Sequence, residues 1–438
     1  MHITPVTRRR FLTYSGVAAA GALAAGATQV SWLDLIHAAD RQPLDPKAAV
    51  LVVVTLYGGN DGLNTVVPAG DKAYQSARPD LAYQPNEVLD LGDGLGLNPG
   101  MTGLHKLWTD KQLAIVRGVG YPQPDHSHFR SMAIWQTASP TTSVATGWLG
   151  RWLDLTGDDP IRAVSIDPVL PPLLAGAKTA AASCPVAGLV LPSGVLGTSL
   201  SGLGATSSAD GTWQARVAKS YADLGRAARV LGPAVPTAGA ARKRGKNGTP
   251  TPTPTVTPST SPDDPDAPSS TASSAGGTGG LAGQLDVVAS LVEAGVPTRA
   301  YSVSLGGFDT HADERGTQQR LLGELDQALS GFAARLATTD RGKQVVTLVY
   351  SEFGRRVVAN ASEGTDHGTA GPVFVLGKGV LGGFHGAQPS LTDLDDGDLK
   401  AGTDFRDVYA SVLQNVLGTD PGAVLDGHTG QVDKLFAA

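Results

Sequence analysis

The stretch "SEFGRRVVANASEGTDHGTAGPVFVLG", residues 351–377, sets Asp366 beside His367 in a glycine-flanked loop between two apolar runs that read as strands. Three other loops carry similar residues. "GGNDG" holds Asn60 and Asp61, "PQPDHSHF" holds Asp125, His126, Ser127 and His128, and "FDTHAD" holds Asp309, His311 and Asp313. Carboxylate and imidazole together suit Zn²⁺ or Mn²⁺, and a pair of such ions stabilises the attacking and leaving oxygens of an in-line displacement at phosphorus or sulfur. Flanking glycines let the backbone approach an ion closely.

Each loop also has a plainer reading. Taken alone, Asp61 in "NDG" is a turn former. Asp309 and His311 could cap a helix expected to begin near Thr317, and His126 could simply hydrogen-bond its own loop. Asp366 with His367 is the strongest single element, since an ordinary loop seldom needs both. "SEFGRRV" adds Glu352, Arg355 and Arg356. A guanidinium there could meet a phosphate or sulfate oxygen, or an Arg–Glu ion pair could hold the loop.

The elements that must position these loops follow from apolar patterning. Continuous β-branched runs at 48–56, 111–120, 299–307 and 343–354 each end in a glycine-containing loop, as strands buried on both faces of a parallel sheet do. Helical spacing appears from Trp213 to Leu231, from Leu281 to Leu291 and from Leu321 to Leu336. Strands alternating with helices predict an α/β fold, a doubly wound, mainly parallel sheet flanked by helices. In such sheets ligands bind beyond the carboxyl ends of the strands, which is where all four polar loops fall.

With 438 residues and 41% hydrophobic content, the chain can bury a large core, and its formal charge of −6 offers no basic surplus for nucleic acid. Residues 1–40 contain "TRRRFLTYSGVAAAGALAAGA", in which Arg8, Arg9 and a weakly apolar Ala/Gly run resemble a twin-arginine export signal. Cleavage sites are expected after Ala27 or near Ala38 and Ala39. The expected location is the periplasm, cell envelope or exterior, reached through the twin-arginine machinery, with no permanent membrane span after processing. The lone Cys184 excludes an internal disulfide. The domain is expected over 46–438, interrupted at 233–280 by a Pro/Thr/Ser/Gly segment too poor in apolar residues to order itself.

Six ordered blocks carry a family resemblance: "LVVVTLYGGNDGLNTVVP", "SHFRSMAIWQTASP", "GWLGRWLD", "GGFDTHADE", "SEFGRRVVANASEGTDHGTAGPVFVLG" and "TDFRDVYASVL". From about residue 48 to the C-terminus, the insertion excepted, the chain resembles the exported bacterial family called domain of unknown function 1501. That family is grouped with the alkaline-phosphatase-like superfamily of phosphatases and sulfatases. The resemblance implies a metal centre at the carboxyl edge of the sheet. On it, Asp61 matches the first-strand metal aspartate and Asp366 with His367 the Asp-His pair, while Asp309 and His311 resemble the other metal's ligands at a shorter spacing. No nucleophile declares itself; Ser127, beside His128, is preferred to Thr65. His385 in "GGFHG" is a loose match to a late metal histidine.

The expectation is therefore an exported two-metal hydrolase of phosphate or sulfate esters. One or two divalent ions would lie on Asp61, Asp309, His311, Asp366 and His367; Ser127 or Thr65 would attack, with His128 beside the nucleophile, and Arg355 would steady the anion. The substrate would be a small-molecule or polymer ester. The alternative is a catalytically degenerate cell-envelope binding or assembly protein on the same fold. A third reading, an amidohydrolase-type centre on His126 and His128, leaves the Asp366-His367 pair unexplained.

Overall fold

The computed structural model describes residues 28–30, 32–167, 169–184, 213, 218 and 280–437. The expected helix from Trp213 to Leu231 and the expected insertion at 233–280 lie outside the described residues, apart from isolated positions.

The strands are β1 (Thr28–Gln29), β2 (Val50–Leu56), β3 (Val66–Val67), β4 (Leu89–Gly92), β5 (Leu95–Leu97), β6 (Leu113–Gly120), β7 (Ala163–Ser165) and β8 (Ala182–Ser183). After them come β9 (Ala300–Leu305), β10 (Val345–Ser351), β11 (Gly371–Gly377), β12 (Gly383–His385), β13 (Leu394–Asp395), β14 (Asp398–Leu399) and β15 (Thr403–Asp404). The main sheet runs β1-β8-β7-β9-β2-β10-β11-β6-β12, with β15 also beside β6. Pairing is parallel except at β11, which runs antiparallel to both β10 and β6. The fold is thus α/β with a mixed, mostly parallel central sheet flanked by helices. The four long apolar runs form β2, β6, β9 and β10.

Alternation along the strands explains why the runs are continuously apolar. Val50, Val52 and Val54 of β2 join one core, while Leu51 and Val53 join the core on the other face. The first core is closed by α1 (Trp32–Arg41), α3 (Thr102–Thr109), α6 (Gly280–Ala294) and α7 (Glu314–Leu336), the short α2 (Lys72–Ala77) lying elsewhere. The second is closed by α4 (His128–Thr137), α5 (Trp148–Thr156) and α8 (Phe405–Val412). Both faces of a parallel sheet must be covered because its strands have no polar face to offer water.

Residues ahead of 46 are built into this unit. β1 pairs with β8, and Leu35, Ala38 and Ala39 of α1 are buried in the first core. Cys184 is buried in the same core.

Because β11 is antiparallel, its start lies at the edge where β2, β6, β9 and β10 end. The loops following those four strands and the loop entering β11 converge there. In the second core, Trp148 is fully buried and stacks on Tyr409 of α8 with ring centroids 4.5 Å apart. A Trp148→Ala substitution should lower the unfolding free energy by about 3–5 kcal/mol, read as a shift in the urea midpoint; an unshifted midpoint would mean that this face is not a packed core.

Candidate metal centre

Three imidazoles converge on one carboxylate oxygen at this edge. Asp309 Oδ1 lies 2.9 Å from His311 Nε2, 3.2 Å from His367 Nε2 and 3.3 Å from His128 Nε2. His311 Nε2 and His367 Nε2 are themselves 3.0 Å apart. The Nε2 atom of His128 is buried and has no hydrogen-bond partner. Asp309 comes from the loop after β9, His128 from the start of α4 after β6, and His367 from the loop entering β11.

Outer partners fix which nitrogen of each ring faces inward. His367 Nδ1 stands 2.7 Å from the His126 carbonyl oxygen, an acceptor only, so it carries the proton and a neutral ring presents a bare Nε2. His128 Nδ1 is 2.9 Å from Glu352 Oε1, so this nitrogen carries a proton and Nε2 is the one turned to Asp309. His311 Nδ1 faces Asp366 Oδ1 at 3.6 Å. Inward lone pairs from neutral rings, set against a carboxylate oxygen, repel one another unless protons or a cation lie among them. A tetrahedral site with metal–ligand bonds of about 2.0–2.1 Å places ligand atoms about 3.3–3.4 Å apart, close to the separations here. Among the described residues, His128, Asp309 and His367 form the group whose ligand atoms lie close enough to share one ion.

Charge follows this geometry. Burial works against ionising Asp309, but the three imidazoles and Arg355 around it outweigh that and hold its pKa far below the usual carboxylate range. Burial likewise disfavours a charged His128 ring, yet the Asp309 and Glu352 carboxylates on its two sides push its pKa up to about 9. Glu352 is itself buried and held by the Gly58 amide at 2.9 Å.

Several expected ligands lie elsewhere. Asp61 is fully buried and paired with Arg78 at 2.5 Å, so its carboxylate is taken up inside the protein and does not face the imidazoles. Thr65 is also fully buried, its hydroxyl donating to the Asp61 carbonyl at 2.7 Å, which leaves no nucleophile there. Asp366 supports His311 from outside, with its side chain 60% exposed and its Oδ1 accepting from Asn360 Nδ2 at 3.2 Å. His385 is on β12 with both ring nitrogens against backbone carbonyls. The helix expected near Thr317 begins at Glu314, and its preceding residue Asp313 makes no side-chain cap, so Asp309 and His311 are not capping residues. His126 turns its ring away to Asp398 Oδ2 at 2.7 Å, which removes the His126 and His128 pairing from consideration as one centre.

Arg355 is also not an anion binder. Its guanidinium is buried and donates to the carbonyls of Gly58, Gly59 at 2.7 Å, Thr365 at 2.8 Å and Phe308 at 3.0 Å, and to Asp309 Oδ1 at 2.8 Å. Ser127 is placed directly before His128 at the start of α4, where its side chain makes no cap. Backbone pairing between Arg355 and His367 brings the two loops together, and Gly368 is required there because a Cβ would lie 2.5 Å from the Arg355 carbonyl carbon.

Arg78 and Glu314 gave no sequence signal. Burial and the neighbouring Asp61 push the Glu314 pKa up to about 9, while Arg78, Arg355 and the Glu314 hydrogen bond outweigh burial and hold Asp61 low. The pair therefore carries one proton, on Glu314.

A family described as "Protein of unknown function (DUF1501)" matches residues 265–436, a span that contains the last three of the six sequence blocks and supports the family resemblance. No curated protein matches the chain.

Two outcomes follow. Arg355→Ala strands four carbonyls and Asp309 and should cost about 3–5 kcal/mol, measured by urea unfolding; a cost under about 1 kcal/mol would deny the clamp. Glu314 keeps a proton that the unfolded chain releases above about pH 4.3, so its contribution is complete at low pH and is lost as pH rises toward about 9. Glu314→Gln, which cannot titrate, should therefore gain stability relative to wild type between pH 5 and pH 8.5, about the range of that titration; parallel midpoints would reject the shared proton.

Proposed function

We propose that the protein is an exported, metal-dependent hydrolase of phosphate or sulfate esters, on an alkaline-phosphatase-like variant of the α/β fold. His128, His367 and Asp309 would hold one divalent ion, with His311 beside Asp309 and His367. The observation that carries this is the convergence of inward Nε2 atoms, one of them buried without a hydrogen-bond partner, on a single carboxylate oxygen. Two imidazole nitrogens and one carboxylate oxygen, with an open position, suit zinc, with manganese the second choice. Bound there, the ion would act as a Lewis acid on a phosphoryl or sulfuryl oxygen and lower the pKa of water.

The residues around it have separate tasks. Glu352, the His126 carbonyl and Asp366 orient the three imidazoles, in the way outer partners tune metal ligands elsewhere. Arg355 fixes Asp309. Ser127 precedes His128 in the chain, and its attack would form an oxygen–phosphorus or oxygen–sulfur bond as the ester alcohol leaves with the serine proton. Export rests on Arg8, Arg9 and the Ala/Gly run after them. Among the described residues no helix is long and apolar enough to cross a membrane.

A second reading is a cell-envelope binding or assembly protein with a structural ion. Burial of the Thr65 hydroxyl favours it, because it removes one of the two expected nucleophiles.

The test is elemental analysis of protein purified without chelator, followed by assays with aryl phosphate, phosphodiester and aryl sulfate. About one equivalent of zinc or manganese per chain is expected. His367→Ala should weaken its affinity at least about 100-fold. Because protons compete for the same nitrogens, affinity should rise with pH up to about 9, where the His128 ring gives up its charge. A stoichiometric ion without turnover would select the binding reading, and a chain that binds no ion would sink both.

A further inference from the structure

A groove of about 260 Å³ opens at the amino edge of the sheet, the edge opposite the candidate metal centre. Its walls are apolar. Leu107 of α3, Phe332 and Leu336 of α7, Val345 at the start of β10 and Leu376 near the end of β11 line it. The volume lies at the small end of ligand pockets, which begin near about 300 Å³.

Two features set this groove apart from an ordinary gap between helices and sheet. The first is a hydroxyl. Thr347 lies on the face of β10 that Val345 and Val349 give to the first core, and it is only 3% exposed. It lines the groove, and among the described residues its hydroxyl has no hydrogen-bond partner. A hydroxyl kept in apolar surroundings without a partner loses free energy that an incoming acceptor restores.

The second feature is charge. Lys343 and Lys378 line the groove, and no Asp or Glu does. Lys343 meets Asp340 at 3.2 Å, but the two side chains are 56% and 93% exposed, so the pair is weak and readily exchanged. Among the described residues, Lys378 has no carboxylate in ion-pair range. The backbone fixes its place: Lys378 N donates to the Val345 carbonyl at 3.0 Å. Gly377 before it has a φ of +121°, and a Cβ there would lie 2.2 Å from the same oxygen. Both lysines therefore stand at the lip where β10 begins and β11 ends.

Apolar walls, a positive lip and an unpartnered hydroxyl just inside that lip describe what would fill the space. A neutral hydrocarbon would answer only the walls. We propose that the groove binds a small organic carboxylic acid, its hydrocarbon part among the apolar side chains and its carboxylate held by the lysines, with Thr347 Oγ1 donating to one of its oxygens. Straight-chain fatty acids and arylalkanoic acids share that chemistry. The inference does not rest on the proposed hydrolase, whose site lies at the other end of β10.

Calorimetric titration of the purified full chain with octanoate and phenylbutyrate, beside uncharged octanol and cationic octylamine, tests it. At least one acid is expected to bind, with the alcohol and the amine weaker by at least about fivefold, the worth of one charge-assisted hydrogen bond. Preference for octanoate would identify a fatty acid as the source, and preference for phenylbutyrate an aryl acid. The exposed double substitution Lys343→Gln, Lys378→Gln should weaken the acid at least about fivefold. Thr347→Val should also weaken it without lowering the urea midpoint, since the hydroxyl has no protein hydrogen bond to lose. Ala337→Trp, at an exposed position of the lining, should fill the groove and take binding below detection. Equal binding of octanol, no binding of either acid, or binding that survives Ala337→Trp would overturn the proposal. So would a dimer in sedimentation that Ala337→Trp dissociates, because the groove would then belong to a second copy of the chain.

Discussion

One buried guanidinium organises the carboxyl edge of the sheet. Arg355 reaches carbonyls that belong to the loops after β2 and β9 and to the segment entering β11, and it touches the Asp309 carboxylate with the same Nη2. Five donors in a rigid plane can join backbone segments that no apolar contact could hold, because carbonyl groups at strand ends must find donors once they are out of water. The cost of burying its charge is offset by the Asp309 carboxylate and by the ring of carbonyl dipoles. Without this clamp the loops would be free to move apart, and the imidazoles would lose their common focus.

The fold was legible in the sequence because burial on both faces leaves a simple trace. β2, β6, β9 and β10 appear as continuous apolar runs, and α6 and α7 as three-and-four spacing. β1 and α1 were hidden inside what reads as an export signal, since a helix needing only Leu35, Ala38 and Ala39 against the core looks like any weakly apolar stretch. The candidate site was legible by region but less so by role. Sequence brings Asp309, His311 and His367 forward correctly as neighbours, but it cannot say which of Asp366 and His367 faces inward. Neighbouring residues in an extended segment point to opposite sides, so an adjacent Asp and His serve one centre from different distances.

The exchange of roles between Asp61 and His128 has a similar cause. Asp61 follows the central strand β2, the most enclosed position in the sheet, and a carboxylate there is stable only with a partner. Arg78 and Glu314 supply one, from a polar stretch and a helix start that carry no motif. His128 opens α4 at the margin of the sheet, where one ring edge meets Glu352 and the other faces Asp309. Depth in the fold, which spacing does not encode, decides which polar residue becomes structure and which is left available to a ligand.

That division also orders cause and effect at the candidate centre. Groups around the imidazoles are held by the protein itself: Glu352 by the Gly58 amide, Asp366 by Asn360 and Asp309 by Arg355. Beneath them Arg78 pairs with Asp61 in the loop after β2, and Glu314 at the start of α7 accepts from Thr365. Such a site differs from small zinc domains, in which ion binding supplies the folding free energy. Here two hydrophobic cores and a buried guanidinium set the geometry first, so the convergence of His128, His311 and His367 on Asp309 is imposed by the fold. Preorganisation of that kind spends little of any binding free energy on ordering ligands.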